Sequence, residues 1–318
     1  MRRAASDFRI RFDDADPSLN AFLLEYEEKF FLAAQDDQWV TLPKTEQEGD
    51  LYVPVQIDER DVFLARPSVF AVQPLQGHPN LDRRDKLSRL LCVYDNAGEH
   101  FLPGQDSANQ PGTGHLAQSK VLLFLFDPTQ HPRLRTLLRK GSQDPQLNAD
   151  RKTYQQHQIL LEAANRIRRH TQLPQNEQLK TPLVVILTKY DVWGKLLGDE
   201  HFRADSSAIA KLDIDQLRAV SAQIEKLLAK HCPEFTNAVD GCCSDVVYVP
   251  VSAVGGSPEE REIGQDMNTG QAAKQLLIRP RDIAPMWAEV PLLYALQRAV
   301  PGLIAAKSSS GPKEQDDE

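Results

Sequence analysis

The sequence predicts an α/β protein with a mostly parallel sheet flanked by helices. Two observations carry that reading. Four apolar runs, "RLLCVY" (89–94), "KVLLFLF" (120–126), "PLVVILT" (182–188) and "DVVYVPV" (245–251), are rich in Val, Leu and Ile and do not alternate, as in strands covered on both faces. Long segments with helical periodicity separate them, which is the pattern of a layered α/β domain. A chain of 318 residues, 41% hydrophobic, can bury a sizeable core. Residues 1–306 are read as one domain and 307–318, "KSSSGPKEQDDE", as a disordered polar tail.

The elements follow in order. "MRRAASD" reads as the last turn of a helix and the alternating "FRIRF" as a strand. "DDADPSLN" is a turn in which Asp16 or Ser18 can cap the next helix and Pro17 suits its first turn. In "LNAFLLEYEEKFFLAA", Leu19, Phe22, Leu23, Tyr26 and Phe30 share one helical face. "QWVTLPKTEQEGD" is a loop. "LYVPVQID" and "VFLARPSVFAVQPL" read as antiparallel strands joined through "DERD". Helices are expected over 151–170, over 214–231 with a Leu217, Val220, Ile224, Leu227, Leu228 stripe, and over 290–306, interrupted by Pro301.

Composition removes several function classes. A net charge of −8 and a pI of about 5.6 argue against general nucleic-acid binding. The basic cluster Arg166, Arg168, Arg169 and His170 reads as a solvated helix face. No apolar run approaches the ~18 residues of a membrane span. Cys92 lies in an apolar run and reads as a small core residue. Cys232, Cys242 and Cys243 lack the spacing of a zinc site. The cysteine usage fits a reduced, cytoplasmic protein.

Three runs end in small polar motifs: Asp95-Asn96-Ala97-Gly98, Thr188-Lys189-Tyr190-Asp191 and Ser252-Ala253. Ligands of open α/β sheets bind at the carboxyl ends of strands, so the three sets belong to one edge. Each has a chemistry. Asp95 can hold the water shell of a nucleotide-bound Mg²⁺. Gly98 can bring a backbone N–H close to a terminal phosphate. Asp191 can accept from the N1–H and the exocyclic amine of guanine, a donor pair adenine lacks. The Lys189 stem can lie over the purine, and the Ser252–Ala253 backbone can donate to the guanine carbonyl.

These motifs, with the phrases "RFDDADPSLNAF", "YDNAGEHFLPGQDS" and "LLFLFDPTQHPR", resemble P-loop GTPase domains of the translation-factor-related class, in particular the bacterial double-GTPase family. The resemblance covers nearly the whole chain apart from the tail. It implies GTP or GDP binding with Mg²⁺, a switch role in bacterial signalling or conflict systems, and a protein partner it does not name. It also implies that the residue after Gly98 orients the attacking water. That residue is Glu99, followed by His100, where relatives carry Gln or His; both can also simply start a loop. Thr45 is the expected switch threonine over the metal, with Thr41 as its rival.

One part is missing. A G-x-x-x-x-G-K-[ST] loop should precede Asp95, yet Lys29, Lys44 and Lys86 follow Glu28, Pro43 and Asp85, never glycine. Gly194-Lys195 is followed by Leu196 and lies beyond the guanine motif. The expectation is therefore a domain lacking its first strand and phosphate loop, through a misplaced start or through degeneration. Either way it should bind nucleotide weakly. The alternative function is a non-catalytic interaction module on a degenerate GTPase fold.

Overall fold

The computed structural model describes residues 1–41, 52–57, 60–96, 98–102, 113–148, 155–198, 210–265 and 272–307. In chain order the elements are α1 (Arg2–Asp7), β1 (Ile10–Asp14), α2 (Ala21–Gln35), β2 (Tyr52–Ile57), β3 (Arg60–Ala65), β4 (Ser68–Pro74), α3 (Arg84–Leu87), β5 (Arg89–Val93), α4 (Gly114–Gln118), β6 (Leu122–Phe126) and α5 (Pro132–Leu138). Then follow α6 (Gln156–Thr171), β7 (Leu183–Leu187), α7 (Tyr190–Trp193), β8 (Leu212–Asp213), α8 (Ile214–His231), α9 (Pro233–Cys242), β9 (Val246–Pro250), β10 (Glu259–Gln265), β11 (Ala272–Leu277), α10 (Val290–Ala299) and β12 (Ala306–Lys307).

The centre is a parallel sheet of three strands, β6–β7–β9, flanked by helices. Side chains alternate along each strand, so β7 feeds two cores. Leu183, Val185 and Leu187 pack with Leu160, Ile167, Ile224 and Phe235 of α6, α8 and α9. Val184 and Ile186 face the other way, toward Ala5, Phe8, Leu293 and Leu296 of the α1–β1 and α10 region. Burying each Leu or Ile of these layers is worth roughly 1.5–3 kcal/mol. The stripe on α8 behaves as its period requires: Leu217, Val220, Ile224 and Leu228 are buried and Leu227 packs at the margin.

A second sheet, β1–β4–β5, is antiparallel. This corrects the expectation for 89–94, which was grouped with the parallel strands. β5 pairs with β4 alone among the described residues and is largely exposed. Cys92 is exposed as well, not a core residue. Composition cannot tell a strand with two neighbours from one with a single neighbour. The second sheet shares the α1 and α10 core through Ile10, Phe12 and Val72. Two polar links tie it to the C-terminal segment: His78 Nε2 lies 2.9 Å from the Leu303 carbonyl oxygen, and Asn80 Nδ2 donates to the Gly302 carbonyl at 2.8 Å.

The expected hairpin also divides differently. β2 pairs with β3, while β4 leaves after Arg66-Pro67 to join β1. The basic cluster on α6 is corrected too. Arg166 and Arg168 are 3% and 4% exposed, whereas Arg169 and His170 face solvent. Arg166 stacks its guanidinium 4.8 Å from the Phe101 ring centre and donates to Glu162 at 2.9 Å. Arg168 donates to the Glu177 and Gly241 carbonyls at 3.2 and 3.0 Å, where the last turn of α9 leaves an acceptor open. A guanidinium can be buried when planar acceptors surround it. Among the described residues no helix is long and apolar enough to cross a membrane.

Candidate functional site

The site is built at the carboxyl ends of β5, β6, β7 and β9. In the parallel sheet the ladder pairs Phe126 with Leu187 and Leu187 with Pro250, so the three strands end level. Asp127, Thr188 and Ser252 therefore leave from the same edge. Asp95, Asn96 and Gly98, just past β5, line one cavity of about 770 Å³ together with Asp127 and Thr188. The structure thus brings the Asp95 and Thr188 motifs to one rim. Ser252 stands at the same edge, two residues past β9, but it is not among the residues lining this cavity.

Lys189 turns the chain after β7 with φ of +59°, a conformation uncommon outside glycine. The turn is held on both sides. Thr188 N–H donates to the Phe126 carbonyl at 2.9 Å and Tyr190 N–H to the Val251 carbonyl at 3.0 Å. The Trp193 indole donates to the Thr188 carbonyl at 2.7 Å. These contacts start α7, and Asp191 stands in its first turn.

The Lys189 ammonium has three partners that sequence reasoning missed. It donates to Asp127 Oδ2 at 2.7 Å, Thr129 Oγ1 at 3.0 Å and Gln146 Oε1 at 3.0 Å. Asp127 also caps the short 3-10 turn Pro128–Gln130, accepting from Thr129 N–H at 2.9 Å and Thr129 Oγ1–H at 2.6 Å. Its backbone is clamped by Gln156: Asp127 N–H donates to Gln156 Oε1 at 2.7 Å, and Gln156 Nε2 donates back to the Asp127 carbonyl at 3.0 Å. The Asp-Pro-Thr that closes β6 is a capping signal, and it was the available clue to this cluster.

Ser252 is 1% exposed and its hydroxyl accepts from Gly255 N–H at 2.8 Å. Its backbone exchanges hydrogen bonds with Met286 at 3.0 and 2.8 Å. Gly255 has φ of +76°, and a Cβ there would collide with the Ala284 carbonyl oxygen, so only glycine closes this turn. Ala253 is exposed at the turn's tip. Gly98 is different: a Cβ there would meet nothing within 4 Å, so its surroundings in this structure do not demand glycine. Glu99 and His100 lie in the 3-10 turn Gly98–Phe101, anchored by Phe101 at 5% exposure; their side chains are outside the described residues. Ala97 and Thr45 also lie outside them, whereas Thr41 is described and follows the Val40–Ile278 bridge.

The rim carries two carboxylates, of which Asp127 is paired with the Lys189 ammonium. Asp95 and Asp127 line the cavity, and no Lys, Arg or His is among its described lining residues. Among the described residues no group of three or more His, Cys, Asp and Glu is placed to hold a metal. The Asp127 carboxylate is already engaged by Thr129, Gln130 and Lys189. Among the described residues no donor-rich loop faces these carboxylates, so nothing described there would hold the phosphates of a nucleotide. Away from this rim, buried thiols are held protonated. Burial, with Glu234 nearby, pushes Cys232 up to about 12, and burial, with Cys242 beside it, pushes Cys243 up to about 12. No family model, curated protein or solved structure matches the chain.

Proposed function

We propose that the chain is a GTPase-like domain that keeps the guanine-recognition side of such a site and lacks the phosphate-holding side. The observation that carries this reading is the level ending of three parallel strands, which sets Thr188-Lys189-Tyr190-Asp191 and Ser252-Ala253 on one edge, with Asp95 across the adjoining cavity. Asp191 supplies the base discrimination, Lys189 and Thr188 shape the turn that presents it, and the Ser252–Ala253 turn offers a backbone donor. GTP or GDP with Mg²⁺ is the ligand class of this reading, and a guanine-dependent switch is its role. The lack of a G-x-x-x-x-G-K-[ST] loop in the sequence makes binding weak.

A second reading, a non-catalytic interaction module on the same sheet, is favoured by the absence of a G-x-x-x-x-G-K-[ST] loop from the sequence.

Isothermal titration with GTP, ATP and Mg²⁺, carried to millimolar ligand, separates the two. The first reading expects weak binding that prefers GTP at least tenfold. Asp191→Asn should lose that preference and favour xanthosine triphosphate, whose base carries a carbonyl where guanine carries its amine. Two hydrogen bonds to a charged group, about 1.5–3 kcal/mol each, set this scale. Sub-micromolar GTP affinity would show that phosphate is held in a way the rim does not suggest. Equal weak affinity for GTP and ATP, unchanged in Asp191→Asn, would leave the interaction module as the function.

A further inference from the structure

A smaller cavity, of about 240 Å³, opens where the first turns of α5, α6 and α9 meet. Pro132 and Pro233 start two of those helices, where a fixed φ and a missing N–H cost nothing. The residues beside them, His131 and Glu234, therefore leave from helix ends, and they meet: His131 Nε2 lies 2.9 Å from Glu234 Oε1. His157, in the first turn of α6, is another wall of the same cavity. The rings of Phe126 and Phe235, with centres 4.3 Å apart, form its apolar side.

An ionised carboxylate can only accept, so Nε2 of His131 carries the proton, and in the neutral imidazole Nδ1 keeps a lone pair. That Nδ1 is buried and has no hydrogen-bond partner among the described residues. A buried polar atom left in this state is uncommon and calls for an occupant. A carboxylate behind an imidazole is also the arrangement that prepares a histidine for a metal: it fixes the ring, selects the free nitrogen and raises its basicity. The cavity's size agrees. It is smaller than the roughly 300–1,000 Å³ of organic-ligand sites, and it has room for an ion with several waters of about 30 Å³ each. Each helix start carries about half a positive charge, which opposes a cation, and the full negative charge of Glu234 offsets it. Arg133, 4.0 Å from the other Glu234 oxygen, is 64% exposed, so solvent screens it.

We propose that this cavity binds one divalent transition-metal ion of the imidazole-preferring kind, Zn²⁺ or Ni²⁺ rather than Mg²⁺. Nδ1 of His131 and the His157 ring are its ligands, and Glu234 is the carboxylate that orients His131. Glu234 is engaged at the far nitrogen and is not a ligand, in keeping with the lack of a three-residue metal group among the described residues. Water completes the shell, which leaves the ion open rather than closed in a structural cage. Gln156 is a wall of this cavity and of the larger one, and it clamps the Asp127 backbone, so an ion held beside it bears on the rim. The inference rests on the histidines and the cavity, not on nucleotide binding, and stands or falls separately from it.

Isothermal titration of the Cys92→Ser chain with Zn²⁺ and with Ni²⁺ tests it, the substitution removing the exposed thiol as a rival ligand. The expected result is one ion per chain and no binding of Mg²⁺. His131→Gln and His157→Gln should each weaken binding at least tenfold, and Glu234→Ala by about 10–100-fold. His157 is only partly buried on a helix, so His157→Gln should keep the parent's melting temperature and remains a valid test even if His131→Gln unfolds. Long-range proton–nitrogen spectra of the imidazoles should place the metal on Nδ1 of His131. No saturable binding up to millimolar metal would overturn the proposal. So would binding unchanged in His157→Gln, which puts the ion elsewhere, or ligation of His131 through Nε2, which requires that Glu234 be displaced.

Discussion

Replacing Asp127 by Asn isolates the charge that holds Lys189. The side chains of the pair are 14% and 23% exposed, and the ammonium lies 2.7 Å from Oδ2. Asn caps a helical turn about as well as Asp, so the Thr129 contacts survive. Lys189 also keeps Thr129 Oγ1 and Gln146 Oε1. What is lost is one charge-assisted hydrogen bond, worth about 1.5–3 kcal/mol net. Partial solvent access places the cost at the lower end, about 1.5 kcal/mol. Asp127→Ala removes the cap as well, about 1 kcal/mol more, for a total near 2.5 kcal/mol. Urea unfolding of Asp127→Asn, Lys189→Met and the double variant closes a thermodynamic cycle. The expected coupling is about 1.5 kcal/mol; a value under about 0.3 kcal/mol would show that the two side chains do not meet in solution.

Gly255→Ala forces a side chain into a left-handed turn and against the Ala284 carbonyl, so it should destabilise by at least about 2 kcal/mol, read by thermal melting. Thiol titration of the native protein should find one fast-reacting cysteine, Cys92, and three slow ones that react only on unfolding. The folded thiols of Cys232 and Cys243 titrate higher than unfolded ones, so the stability they give is full below the ordinary thiol pKa of 9.0 and is lost as pH rises toward about 12; Cys232→Ala should flatten that alkaline decline in urea midpoints. Glu234 moves the other way. Burial raises it, but a backbone hydrogen bond and His131 at 2.9 Å outweigh that and lower it overall. Its contribution holds above the ordinary carboxylate pKa and fades as pH falls through the lowered value, so Glu234→Gln should remove a small part, under about 1 kcal/mol, of the acid-side loss.

The parallel strands were legible because an unbroken run such as "LVVIL" suits a strand covered on both faces, and every residue of β7 is buried. The α8 stripe was legible for the same reason, since its period matches its burial. β5 misled because "RLLCV" has the composition of a covered strand and stands at an open edge. The β10–β11 hairpin was missed because "EEREIGQ" carries charge where a strand signal expects apolar alternation; pairing with β11 and Arg261 lying over Trp39 at 3.7 Å accompany it instead. Arg166 and Arg168 deceived in the opposite sense, since a charge run says nothing about the Phe101 ring and Glu162 carboxylate that meet Arg166, or the carbonyl acceptors from α9 and the loop before β7 that meet Arg168. In the site, the motif named Lys189 but not its partners, because Asp127, Thr129 and Gln146 reach it from 43 to 62 positions away.

The two cores on either side of β7 leave that strand with an ambiguity. Sliding it by one position would exchange Leu183, Val185 and Leu187 for Val184 and Ile186, one apolar set for another, so hydrophobicity alone hardly opposes the slip. The alignment is fastened at the strand's ends instead. Leu179 N–H is tied to the Cys242 carbonyl at 2.7 Å at one end, and Thr188 and Tyr190 are tied to Phe126 and Val251 at the other. The peptide that the functional reading assigns to base recognition therefore doubles as the latch of the central strand. A lesion at Thr188 or Lys189 would be felt as lost frame before it was felt as lost affinity, and inheritance of that turn can be enforced by folding alone.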